Sequence, residues 1–149
     1  MRSANSSDLS LKLLNINKRV TLRLNGFSMY PLLRAGDVAT IEKCNIVALK
    51  RGDIAVFKSE NKWIVHRYFK KQLLDNKYLI TTKGDSRVWI DTPFLEDEFI
   101  GKLTSFRRRG RVYSLSSNFY KILGFVIVYT SKLNTLFFVF NRKFWESLK

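Results

Sequence analysis

Cysteine and histidine are almost missing from this chain of 149 residues. The single cysteine, Cys44, excludes an internal disulfide and a cysteine-rich zinc site. The single histidine, His66, leaves too few ligands for a histidine-based metal centre, so no metal and no cofactor is expected. Acidic residues are scarce: 12 Asp and Glu stand against 27 Lys and Arg, a formal net charge of +15. The shortage is worst beyond residue 100, where Glu146 is the one acid among ten bases. That bias suggests an anionic partner, whether lipid headgroups, nucleic acid or an acidic peptide. The polar opening Met1-Arg2-Ser3-Ala4-Asn5-Ser6-Ser7-Asp8 has no apolar core, so a secretory leader is not expected.

Apolar residues are plentiful at 46%, with 14% aromatic, which describes a globular chain of one domain with a real core. Residues 1–9 read as a loose polar leader, and residues 9–19 fit either a short helix or a strand. Val20-Thr21-Leu22-Arg23-Leu24 alternates with period 2 and predicts a strand. Val38–Ile41 predicts a second, and the fully apolar Ile54–Phe57 a buried third. Ser59-Glu60-Asn61-Lys62 marks a hairpin leading into Trp63–Phe69, and Asp75-Asn76 leads into Tyr78–Thr82. A last pair, Phe99–Phe106 and Arg111–Leu115, is joined by the basic turn Arg107-Arg108-Arg109-Gly110. Short strands punctuated by Gly-Asp turns predict a mainly β, compact antiparallel domain over residues 20–115, preceded by a leader segment over 1–19.

Residues 116–149 differ in character. Ser116 or Ser117 is a candidate helix cap. Residues 122–140 form a strongly apolar stretch, but Lys132 near its middle would cost about 2.5–3.5 kcal/mol in a bilayer. A C-terminal helical pair fits better, either packed as a hairpin or lying on an anionic membrane surface.

One stretch invites chemistry. Gly26-Phe27-Ser28-Met29-Tyr30-Pro31 sets a hydroxyl between a permissive glycine and a stiffening proline. A serine becomes a nucleophile only with a base beside it, and His66 is the only histidine able to serve. Imidazole titrates near pH 6.5 and suits that work at neutral pH, given an acid to hold its tautomer. Asp85, in Thr81-Thr82-Lys83-Gly84-Asp85, and Asp91 supply two candidate carboxylates.

Taken in order, G-x-S-M-x-P, G-D, G-D-I-x-V-F, V-H-R, T-K-G-D and a further Asp six residues on resemble the type I signal peptidase superfamily. That clan includes self-cleaving SOS-type repressors, and the resemblance covers residues 20–103, ending at Ile100-Gly101-Lys102-Leu103. Bacterial members carry Lys where this chain has His66, whereas the archaeal and endoplasmic-reticulum branch carries His. The resemblance implies a signal-peptidase-like β fold in which Ser28 is the nucleophile and His66 the general base. Asp85 and Asp91 match the two acidic positions; Asp91 is preferred as the residue orienting His66, with Asp85 structural or supporting. Gly26, Phe27, Met29 and Pro31 fall at the substrate-binding loop, Met29 packing beneath the nucleophile. The Ser28 N–H would be one oxyanion donor. Bacterial members add a hydroxyl two residues earlier; Gly26 has none, which leaves a second donor unassigned.

The implied activity is a serine endopeptidase that removes a leader or signal segment from a peptide or protein precursor. A compact, anchorless member is expected. Its place would be cytoplasmic and peripherally membrane-associated, or alternatively anchored through the C-terminal segment. Nucleic acid is not the expected partner. The competing class is a non-catalytic basic β domain that binds nucleic acid or membrane through Arg107, Arg108, Arg109 and Arg111. A repressor-like domain would need a DNA-binding unit of about 60 residues, for which the 19 residues before the first strand leave no room.

Overall fold

A computed structural model describes residues 6–60, 62–117, 119–124, 126–127 and 130. Helix α1, Ser6–Asn17, is followed by eight strands: β1 Arg19–Arg23, β2 Val38–Glu42, β3 Ile54–Ser59, β4 Lys62–Leu74, β5 Lys77–Lys83, β6 Phe94–Leu95, β7 Phe99–Arg108 and β8 Arg111–Ser114. They form one antiparallel sheet in the order β1-β2-β7-β3-β4-β5-β6, with β8 also on β7. The mainly β expectation therefore holds. The ambiguous segment before the first strand is helical, and the helix takes in Ser6–Leu9 of the supposed loose leader. It stops at Lys18, whose φ of 57° ends helical geometry.

The sheet carries apolar packing on both faces. Leu14, Met29, Ile41, Ile54, Val56, Val65, Leu103 and Phe106 belong to one cluster. Ile46, Ala55, Phe57, Tyr68, Ile80 and Phe94 belong to the other. Side chains alternate along a strand, so Ile54 and Val56 enter one cluster while Ala55 and Phe57 enter the opposite one. This explains why Ile54–Phe57 is apolar without a break: neither face of β3 meets water. Phe106 is 2% exposed, and its truncation to Ala would cost about 3–5 kcal/mol.

Each Gly-Asp turn is fastened to a strand by its carboxylate. Asp37 accepts from Arg108 Nε and Nη2 at 2.8 and 2.6 Å and from the Arg34 N–H at 2.8 Å. Burial pushes the Asp37 carboxyl up, but the Arg108 and Arg34 hydrogen bonds outweigh it and hold the group below its ordinary value. Asp53 accepts from the Lys50 N–H and from Lys102 Nζ, both at 2.9 Å. Asp85 accepts from Arg67 Nε and Nη2 at 2.7 and 2.6 Å.

After β8, residues 119–124, 126–127 and 130 are helical. Tyr120 meets Phe106 edge-on at 6.3 Å between ring centroids. Gly124 is buried, and a β-carbon there would lie 2.7 Å from the Gly52 carbonyl oxygen and 2.8 Å from Arg67 Nη1. The remainder of the expected helical pair, residues 131–149, lies outside the described residues. Among the described residues no helix is long and apolar enough to cross a membrane.

Candidate active site

His66 and Arg67 are neighbours on β4, so their side chains leave the strand on opposite faces. His66 shares its face with Ile64 and Tyr68, and its ring stands edge-on to Phe57 at 6.2 Å. Its Nδ1 lies 2.6 Å from Asp91 Oδ2. The same oxygen accepts from the Thr82 hydroxyl at 2.8 Å, while the Asp91 N–H donates to the Thr82 carbonyl at 3.0 Å. Asp91 is thus held by backbone and side chain to the end of β5. As a carboxylate it only accepts, so the proton between it and His66 belongs to Nδ1, and in the neutral imidazole Nε2 keeps its lone pair.

That lone pair turns toward the Ser28 loop. A β-carbon on Gly84 would lie 3.2 Å from His66 Nε2 and 2.6 Å from the Ser28 carbonyl oxygen. Residue 84 must therefore lack a side chain for the loop and the imidazole to come together. The turn that Gly84 opens, closed by the Arg87 N–H to the Gly84 carbonyl at 3.0 Å, also holds the loop in place. The Ser86 N–H donates to the Ser28 carbonyl at 3.0 Å, and the Ser86 hydroxyl to the Phe27 carbonyl at 2.7 Å. Among the described residues no acceptor takes the Ser28 N–H, and the Ser28 hydroxyl forms no hydrogen bond.

Ser28 and His66 line one cleft of about 810 Å³. Leu22–Met29 form one wall and Lys62–His66 the other, with Leu33, Arg34 and Arg87 at the margins. Leu22 and Arg23 at the end of β1, and Lys62–His66 on β4, are strand edges with no second neighbour among the described residues, and Leu24–Met29 continue the first wall as a loop. Strand β1 pairs with β2 alone, and Lys62–His66 pair with β3 alone because β5 joins β4 only from Arg67 onward.

The other expected site residues fall in different places. Asp85 is not at His66: it forms a two-pronged pair with Arg67, both side chains 2% exposed, and Arg67 Nη1 donates to the Gly52 carbonyl at 2.7 Å. Met29 is 4% exposed in the core cluster next to the loop. Gly26 adopts φ 115°, a conformation that glycine permits, and Phe27 is 70% exposed at the cleft wall. Pro31 is exposed and does not line the cleft. Thr82 and Gly84 belong to the T-K-G-D motif but carry no assigned role from sequence, and Ser86 reads there as an ordinary turn residue. Lys83 is buried beside them; burial pulls its ammonium below the ordinary value, against the opposing pull of Asp85 and Asp91. Of the competing arginine cluster, Arg108 is committed to Asp37 and the Leu32 carbonyl, while Arg107, Arg109 and Arg111 are exposed. No group of His, Cys, Asp and Glu among the described residues could hold a metal ion.

The chain matches no protein-family model and no curated protein. Its functional reading therefore rests on the geometry of its own residues.

Proposed function

We propose that this protein is a serine endopeptidase of the signal-peptidase-like kind that removes a leader or signal segment from a peptide or protein precursor. The observation that carries this reading is the polarity of His66. Its Nδ1 is bound to Asp91, and its Nε2 abuts the same side-chain-free notch as the Ser28 loop, inside one cleft.

The mechanism follows from these positions. A precursor lies extended between the two unpaired strand edges, hydrogen-bonded through its main chain. With the peptide in place, Ser28 Oγ closes to hydrogen-bond range of Nε2, a contact that free enzymes often leave loose. Nε2 takes the hydroxyl proton as Oγ attacks the carbonyl carbon. Asp91 steadies the imidazolium, and the free Ser28 N–H receives the developing oxyanion. The proton then passes from Nε2 to the leaving amine. Water, activated in turn by His66, releases the acyl group from Ser28.

The buried Arg67–Asp85 pair supports the scaffold beneath this site rather than the chemistry. The exposed Phe119, Ile122 and Val126, with Lys121 among them, support an enzyme that rests on an anionic membrane surface, and its proposed place is the cytoplasmic side. The test is incubation of candidate precursors with the full-length protein, followed by mass spectrometry. The wild type is expected to yield two fragments from a single cut, and Ser28→Ala none, with matching circular dichroism and melting curves. Cleavage that survives Ser28→Ala would overturn the reading.

A further inference from the structure

Every formal charge that the cleft presents is positive. Arg23, Arg34, Lys62 and Arg87 line it, and no lining residue is acidic. The nearby carboxylates have partners of their own: Asp85 is taken by Arg67, Asp91 by His66 and Thr82, and Asp37 by Arg108, with Arg34 also close enough to help lower its carboxyl. Among the described residues none of the four cleft cations forms an ion pair, and Arg34 lies over the Tyr30 ring, 5.5 Å from its centroid. Like charges gathered around a concave, partly apolar surface repel one another and focus a positive potential into it. A bound anion relieves that repulsion.

The shape of the site says what kind of anion. Two unpaired strand edges offer main-chain donors and acceptors at the spacing of an extended polypeptide, and the walls between them include Leu22, Trp63 and Val65. We propose that the cleft selects an extended peptide bearing Asp or Glu side chains, so that the segment recognised around the cut is acidic. The cleavage half of this statement rests on the peptidase reading; the binding half does not. Arg87 ends the turn that abuts Ser28 and His66, which puts one acidic side chain beside the scissile bond. Lys62 stands four residues before His66 on β4, roughly 13 Å away at about 3.3 Å per residue. A second acidic side chain therefore falls about four residues from the cut, beside Lys62.

Full-length Ser28→Ala protein separates binding from turnover. Short fluorescent peptides are compared by anisotropy in three matched sets carrying Asp/Glu, Asn/Gln or Lys at the same positions. The acidic set is expected to bind about tenfold more tightly than the amide set, and the gap to shrink severalfold between about 50 and 500 mM salt. Adding R23E and K62E is expected to reverse the order of the acidic and lysine sets. The milder R23Q and K62Q pair should remove the preference without introducing new acids. Equal binding of acidic and amide peptides overturns the inference. So does a single-stranded oligonucleotide that displaces the acidic peptide at lower concentration than the unlabelled acidic peptide itself does. Cleavage of the same sets by the wild type is scored separately. A binding preference without any cleavage would sink the peptidase reading and leave the acidic cleft standing; cleavage indifferent to peptide charge would do the reverse.

Discussion

His66 and Arg67 sit side by side on one strand, each facing an aspartate, yet the two pairs are built for opposite ends. Arg67 and Asp85 are joined by two parallel hydrogen bonds, and a third reaches the Gly52 carbonyl, with both side chains 2% exposed. His66 meets Asp91 through one ring nitrogen, and Asp91 retains 16% of its side-chain exposure. The saturated pair has little left to offer a third partner. The other leaves a nitrogen facing a cleft. The period-2 geometry of a strand separates the two: one residue of offset sends the imidazole toward the Ser28 loop and the guanidinium into the scaffold.

The comparison breaks if the two aspartates prove interchangeable in effect. Asp91→Asn should lower kcat about 10²–10⁴-fold while leaving the melting temperature nearly in place, because it unsettles the His66 tautomer and little else. Assays of precursor cleavage alongside thermal melts check both halves. Asp85→Asn should show the opposite signature. Removing one partner of a buried pair costs about 3–5 kcal/mol, read as a lower urea midpoint, with cleavage per folded molecule retained. Gly84→Ala tests whether the His66 side depends on close approach. Its new methyl must displace the Ser28 carbonyl or the imidazole, and a shift of that size should cost about 10²-fold in kcat/KM. Thr82→Val sharpens the contrast least. Loss of one hydroxyl on Asp91 should cost about 1 kcal/mol of stability, with at most a tenfold loss of rate.

Much of the sheet was readable in advance because its strands obey simple rules. Val20–Leu24 alternates, Ile54–Phe57 is apolar on both faces, and Trp63–Phe69 is rich in β-branched and aromatic residues. Residues 9–19 admit both a helix and a strand from sequence because Leu11, Leu13, Leu14 and Ile16 keep no clear stripe, and the helix Ser6–Asn17 is the reading that holds. The outer arm of β4, Lys70–Leu74, escaped because it lies on the exposed limb of a hairpin, where patterning is loose. Two-residue β6 is too short to leave a pattern. At the site, Ser28 and His66 can be paired because His66 is the only histidine and because their surrounding motifs resemble a family. Which aspartate meets which base depends on where β5 ends and how the chain returns from Ser86 to Asp91. Nothing in the residue types encodes that path. Thr82, Gly84 and Ser86 act through contacts made with residues more than eight positions away. The cleft cations looked like surface charge until the strand edges gathered them.

The bare α-carbon at position 124 has a reach of its own. With no side chain there, the segment after the last strand settles directly against the guanidinium of Arg67 and the carbonyl it holds. The tail around Gly124 thereby stands close over one side of the Arg67–Asp85 pair, whose side chains are 2% exposed. Whatever engages that tail and lifts it would loosen the seating of β4, the strand that carries the imidazole. Truncation before residue 119 or a bulky residue at 124 would thus act on the cleft from the far side of the sheet.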